Sequence, residues 1–123
     1  MKKLFTFLLG LTLLPTTAFA VDISGNYAVW GLGKKSCFGY REDSAAGNID
    51  NYKDYMKGFL TAYNIFVEKT YSISGKMNEN QILEWIEGYC EEHPMSSFES
   101  ALSGFAFEHY DRRLKSSGFS GGR

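Results

Sequence analysis

The chain has 123 residues, with 13 Lys and Arg against 14 Asp and Glu and a formal charge of −1. That near-neutral, slightly acidic balance lacks the basic face that nucleic-acid binding requires. An aromatic content of 16% with only two prolines excludes a disordered chain and points to a packed core.

The chain opens "MKKLFTFLLGLTLLPTTAFA". Lys2 and Lys3 form a basic start, residues 4–14 an apolar run, and Ala18-Phe19-Ala20 a small-x-small cleavage pattern. Residues 1–20 read as a secretory signal peptide, too short and too plainly terminated to be a membrane span. No cysteine follows the cleavage site, so a lipoprotein is not expected. No later segment is apolar enough to cross a bilayer, so no stable membrane insertion is expected. The mature chain begins near Val21, at 103 residues and a formal charge of −3 once Lys2 and Lys3 are removed. It should form one helical domain over residues 21–115 and end in a flexible Gly/Ser tail over 116–123. The expected compartment is the periplasm.

Residues 21–36 show no sustained period and read as loop, with at most a short extended piece at 27–30. Ser36 can cap a short helix from Cys37 to about Asp43. The first long helix spans 51–70. Tyr52, Tyr55, Met56, Phe59, Leu60, Tyr63, Phe66 and Val67 fall at the 3,1,3,1 spacing of an amphipathic helix, and Asp50 or Asn51 can cap its start. "MNENQI" carries a capping box, Asn78 with Gln81, and a hydrophobic staple, Met77 with Ile82. That helix carries Ile82, Ile86, Tyr89 and Cys90 on one face and ends near Glu92, because Pro94 disfavours helical geometry at His93. Ser96 with Glu99 forms a second capping box for the last helix. Its stripe is Phe98, Ala101, Leu102, Phe105 and Ala106, extended by Phe107, Tyr110 and Leu114. The fold class is therefore all-α: a small single-domain bundle of three main helices plus a short one, with one disulfide.

Cys90, in "WIEGYCEEHP", could be a nucleophile, a metal ligand or half of a crosslink. Glu87, Glu91 and Glu92 surround it, and carboxylates raise a thiol pKa rather than lower it. Zinc would need several ligands at workable spacing, and the only candidates are Cys90 with His93 at i,i+3. Two cysteines in an exported chain favour a Cys37–Cys90 disulfide. Closing a 53-residue separation is worth about 4 kcal/mol in the chain-entropy model. "GLGKKS" fails as a phosphate loop, since Ala28 stands where the first Gly is needed and Lys35 where Ser or Thr is needed. It reads as a flexible basic loop. No catalytic group, metal site or cofactor is expected, and the protein is not expected to be an enzyme.

Two features remain as candidates for binding a protein partner. Glu84, Glu87 and Glu91 recur at i,i+3,i+7 as an acidic stripe, either a solvated face or a docking surface for a basic partner. The aromatic stripe of the first long helix has more members than a small bundle buries on one side. Tyr52, Tyr55 and Tyr63 are therefore expected at a rim, as at self-association or partner surfaces.

The order signal peptide, "SC", aromatic-rich helix, Asn-capped helix ending "WIEGYCEEHP", final helix resembles the small periplasmic acid-stress chaperones of the HdeA/HdeB type over residues 36–102. In that family a cysteine pair brackets the central helices and the second cysteine sits in a Y-C-x-x-x-P context, matched by Tyr89, Cys90 and Pro94. The resemblance implies a non-enzymatic protein, a homodimer at neutral pH, that loosens on acidification and exposes apolar surface to unfolded clients. Below about pH 3 the 14 carboxylates lose most of their charge while 11 Lys and Arg and both His stay positive, and repulsion would open the fold within the limit set by the disulfide. A second resemblance, to Rap/Tai-type immunity proteins, implies instead a toxin as partner, a cell-wall amidase effector. The outline "SC … G-F-L … W … Y-C … P" also fits exported helical proteins with other partners.

Overall fold

A computed structural model describes residues 21–118. The expected signal peptide, residues 1–20, and residues 119–123 of the tail lie outside the described residues. Among the described residues there are four α-helices and no strand: α1 (Cys37–Ala45), α2 (Asp50–Phe66), α3 (Glu79–Glu92) and α4 (Phe98–His109). Short 3₁₀ turns at Gly31–Lys34 and Tyr110–Arg112 flank them. The architecture is thus all-α, with α1 as the short helix.

Local chemistry accounts for most helix ends. The Ser36 hydroxyl accepts from the Gly39 amide at the start of α1. At α3 the capping box forms in full: Asn78 accepts from the Gln81 amide at 3.0 Å, and Gln81 accepts from the Asn78 amide at 2.9 Å. Met77 lies half-buried against the core that contains Ile82. α3 stops at Glu92 and His93 leaves helical geometry ahead of Pro94.

Two expected ends differ. α2 begins one residue early, after Ile49, with no side-chain cap, so neither Asp50 nor Asn51 caps it; Asp50 instead lies in the first turn, where a carboxylate suits the helix dipole. α2 also ends at Phe66 rather than residue 70. Val67 turns extended, Lys69 takes φ +54°, and Asn64 reaches forward to accept from the Ile73 amide at 2.8 Å. At α4 the cap is Ser97, not Ser96, and the Ser96–Glu99 box does not form. Tertiary pairing moves it. The Ser96 carbonyl accepts from the Cys37 amide and the Phe98 amide donates to the Lys35 carbonyl, so 96–97 lies as a bridge against 35–37. Glu99 then falls in the buried face, where its carboxylate accepts from Tyr27 at 3.1 Å and from the Ser103 hydroxyl.

α4 is the central element. Phe98, Ala101, Leu102, Phe105 and Ala106 are buried, joined by Glu99 and His109. Around Phe98 gather the rings of Tyr40 (4.8 Å between centroids), Tyr52 (5.1 Å) and Tyr55 (5.9 Å). Ile82, Ile86 and Cys90 of α3, Cys37 of α1 and Met56 of α2 complete the core. Phe107 does not extend the buried stripe: it is 85% exposed, outside the core and on the rim of a groove shared with α3. Tyr110 is likewise exposed, while Leu114 is half-buried and bridges to Ser72.

"GLGKKS" is no loose loop. It forms the first 3₁₀ turn and packs on α4, and Gly33 is buried so closely under Tyr55 that a Cβ there would collide with the phenol. Only glycine allows that approach.

Candidate functional site

Cys37 and Cys90 are bonded, with Cα atoms 4.8 Å apart and both side chains fully buried. The bond ties the start of α1 to the end of α3. Neither sulfur is a thiolate available for attack or for a metal. Among the described residues no group of three or more His, Cys, Asp or Glu is placed to hold a metal ion. His93 sits at the C-terminus of α3 with Nδ1 2.9 Å from the Tyr89 carbonyl.

The three tyrosines expected at a rim divide. Tyr52 is 2% exposed and belongs to the core, a correction. It sits in the first turn of α2, facing Tyr40 and Phe98, and donates to the Asp43 carboxylate at 2.5 Å. Burial and that carboxylate push its phenol far above the ordinary range. Asp43 is in turn held below the ordinary carboxyl range, chiefly by the Tyr52 hydroxyl and also by Lys35 at 3.4 Å. Tyr55 and Tyr63 are half-buried, Tyr55 over Gly33 and Phe98, Tyr63 beside Tyr110. The end of α2 overhangs the bundle: Ile65 is 69% and Phe66 83% exposed.

The acidic stripe divides too. Glu87 accepts from Arg41 at 2.6 Å and so links α3 to α1. Glu84 and Glu91 carry no ion pair among the described residues, and both are exposed.

Ion pairs and hydrogen bonds reveal how α2 is held. Glu79, at the start of α3, meets Lys57 at 2.8 Å and Lys53 at 3.2 Å, both from α2. Those two ammonium groups, Lys57 first, hold the Glu79 carboxyl below its ordinary value. The polar ties of α2 to α1 and α3 are therefore Asp43–Tyr52 and Glu79–Lys53/Lys57, each dependent on an ionised carboxylate. α1 and α3 share the Arg41–Glu87 pair but are also joined covalently by the disulfide.

A second surface lies between α3 and α4. It is a groove of about 610 Å³ walled by Trp85, Tyr89 and His93 on one side and Phe107 and Glu108 on the other, with Glu84 and Glu92 at its edge. Trp85 and Tyr89 stack at 5.6 Å, and Tyr89 and His93 at 4.3 Å. The sequence placed Tyr89 on the face shared with Ile82, Ile86 and Cys90 and did not show the groove. The signal was present as two i,i+4,i+8 rows, 85-89-93 and 84-88-92, but their meeting with Phe107 depends on how α4 crosses α3.

Comparison with protein-family models, with curated proteins and with solved structures finds no match to this chain.

Proposed function

We propose that this is a non-enzymatic periplasmic protein-binding protein of the HdeA/HdeB kind, in which acid releases α2 to present its apolar stripe to unfolded clients. The observation that carries this reading is the chemistry of the attachment of α2. Its polar ties to α1 and α3 both rest on carboxylates, Asp43 and Glu79, while α1 and α3 are joined to each other by the covalent Cys37–Cys90 bond. A carboxyl whose folded pKa is depressed contributes stability above its unfolded pKa, and that contribution is lost as pH falls through the folded value. Acidification therefore loosens α2 and leaves the α1–α3 crosslink intact. The released stripe would carry Tyr55, Met56, Phe59, Leu60, Tyr63 and Phe66, large enough to hold apolar segments of a client. Ile65 and Phe66, uncovered even in the folded form, suit a homodimer contact at neutral pH. A periplasmic location is supported by the disulfide, which persists in oxidising compartments, and by the reading of residues 1–20; no helix among the described residues is long and apolar enough to cross a membrane.

The test is suppression of client aggregation at pH 2 to 3 by the oxidised protein. A protein that stays fully folded at pH 2 and protects no client would end this reading. The outward carboxylates Glu84 and Glu91 favour a second one, an immunity protein that neutralises a cell-wall-degrading effector through a basic surface. It expects a stable complex at neutral pH, and a periplasmic pull-down that recovers no partner would count against it.

A further inference from the structure

We propose that the groove between α3 and α4 docks a short extended segment of a partner protein in which arginine or lysine alternates with apolar residues. The inference does not rest on acid release, because α2 takes no part in this surface.

The groove presents two rows of different chemistry. Trp85, Tyr89 and His93 recur every four residues, so their rings lie one above the next along α3. Glu84, Gly88 and Glu92 form the adjacent row at the same spacing, and Glu108 of α4 stands opposite. Because these rings stack on one another, a guanidinium or ammonium group entering here meets the side of the ring stack together with the carboxylates. The carboxylates attract the cation, and the apolar walls accept the methylene stem and neighbouring apolar side chains.

The carboxylates are available. Glu84 and Glu92 have no ion-pair partner among the described residues. Glu108 meets Arg112 only at 3.9 Å with both side chains largely exposed, a contact easily exchanged.

Gly88 lies in the groove wall between the two glutamates. Its φ is not positive, and an added Cβ would meet nothing within 4 Å. Its effect is on the groove wall, where any longer side chain would stand in the space a guest occupies. Phe107, 85% exposed on the facing lip, is an aromatic that the fold leaves uncovered.

Dimensions set the size of the guest. Eight residues separate Glu84 from Glu92, about 12 Å along a helix, which matches about four extended residues. Charge sets its sign, since the groove-edge residues Glu84, Glu92 and Glu108 are all acidic and no Lys or Arg among the described residues lines the groove.

Trp85 reports directly once Trp30, the only other tryptophan, is replaced by Trp30→Phe. The probe is an acetylated and amidated pentapeptide, Leu-Arg-Leu-Arg-Leu, titrated at neutral pH into the oxidised protein. Its Glu-for-Arg counterpart and spermidine serve as the two comparison arms. The basic peptide is expected to give a saturable change in Trp85 emission, at least tenfold tighter than either comparison ligand and weakened by salt. Gly88→Leu, and separately Glu84→Gln with Glu92→Gln, should each weaken it tenfold or more while far-UV circular dichroism stays unchanged. Gly58→Leu, an equally unconstrained helical glycine on α2, should leave it unaltered. Equal binding of the acidic peptide or of spermidine, or full affinity in both groove variants, overturns the proposal. So does a tenfold gain on truncation after Gly118, which would make the chain's own terminus the occupant. Self-association abolished by Gly88→Leu would likewise overturn it, in favour of a second copy.

Discussion

Single side chains in this protein act through partners that sequence spacing does not show. Tyr52 is an example. Its ring packs among Tyr40 and Phe98 while its hydroxyl donates to Asp43, so it links core and surface charge. Tyr52→Phe is expected to lower neutral-pH stability by about 1 kcal/mol and to make the acid side of the stability profile shallower. Urea titrations at pH 7 and pH 4 read both effects, and an unchanged pH slope would argue that Asp43 gains nothing from the phenol. Phe98 stands where three tyrosine rings converge. Phe98→Ala should cost about 3–5 kcal/mol, a large share of what a domain this size holds in reserve, visible as a fall in the thermal midpoint. The sequence placed Phe98 in the buried stripe correctly from its period. It could not place Tyr52, because α2 presents both Tyr52 and Tyr55 toward the bundle and only the position of α1 decides which of them is covered.

At the level of elements, α2 differs from the others. α1 and α3 share a covalent bond and α4 is buried on several faces, whereas α2 has two fully buried residues, Tyr52 and Met56, and an exposed end. Hydrogen exchange at pH 3 is expected to show α2 amides losing protection before those of α3 and α4. Simultaneous loss across all helices would contradict the carboxylate ties as the weak point. Gly58 lies within α2 with nothing within 4 Å of an added Cβ, so Gly58→Ala should stabilise the protein by about 0.5–1 kcal/mol. Helix starts were legible where the cap is local, as at Ser36 and Asn78. They were not at Ser97, because there the backbone also bonds across to residues 35 and 37, and the pairing selects the capping residue.

For the whole molecule the decisive link is Cys37–Cys90. Reduction, or Cys37→Ala with Cys90→Ala, should lower stability by about 4 kcal/mol for a separation of 53 residues. The urea midpoint of oxidised and reduced protein measures it, and a difference under 1 kcal/mol would show that the unfolded chain is already constrained. Acid acts on the same architecture with a definite sign. Asp43 and Glu79 titrate in the folded protein below their ordinary values of 3.8 and 4.5. Their contribution is complete above those values and disappears as pH falls through the lower folded ones. Glu79→Gln should therefore flatten the pH dependence of stability below pH 4.5, as followed by circular dichroism.

By itself the sequence determined the helical class, the places of all four helices, the buried stripe of α4 and the pairing of the two cysteines. Each of these follows from spacing within one segment, or from there being a single possible partner. Tertiary structure alone decided that Tyr52 is core and Phe107 surface, that Glu87 is held by Arg41 while Glu84 and Glu91 have no ion pair among the described residues, and that the rows 85-89-93 and 84-88-92 face α4 across a groove. Periodicity identifies which side of a helix turns inward. How deep each residue on that side lies, and what stands opposite it, depends on the crossing of a second helix, and no local pattern encodes that crossing.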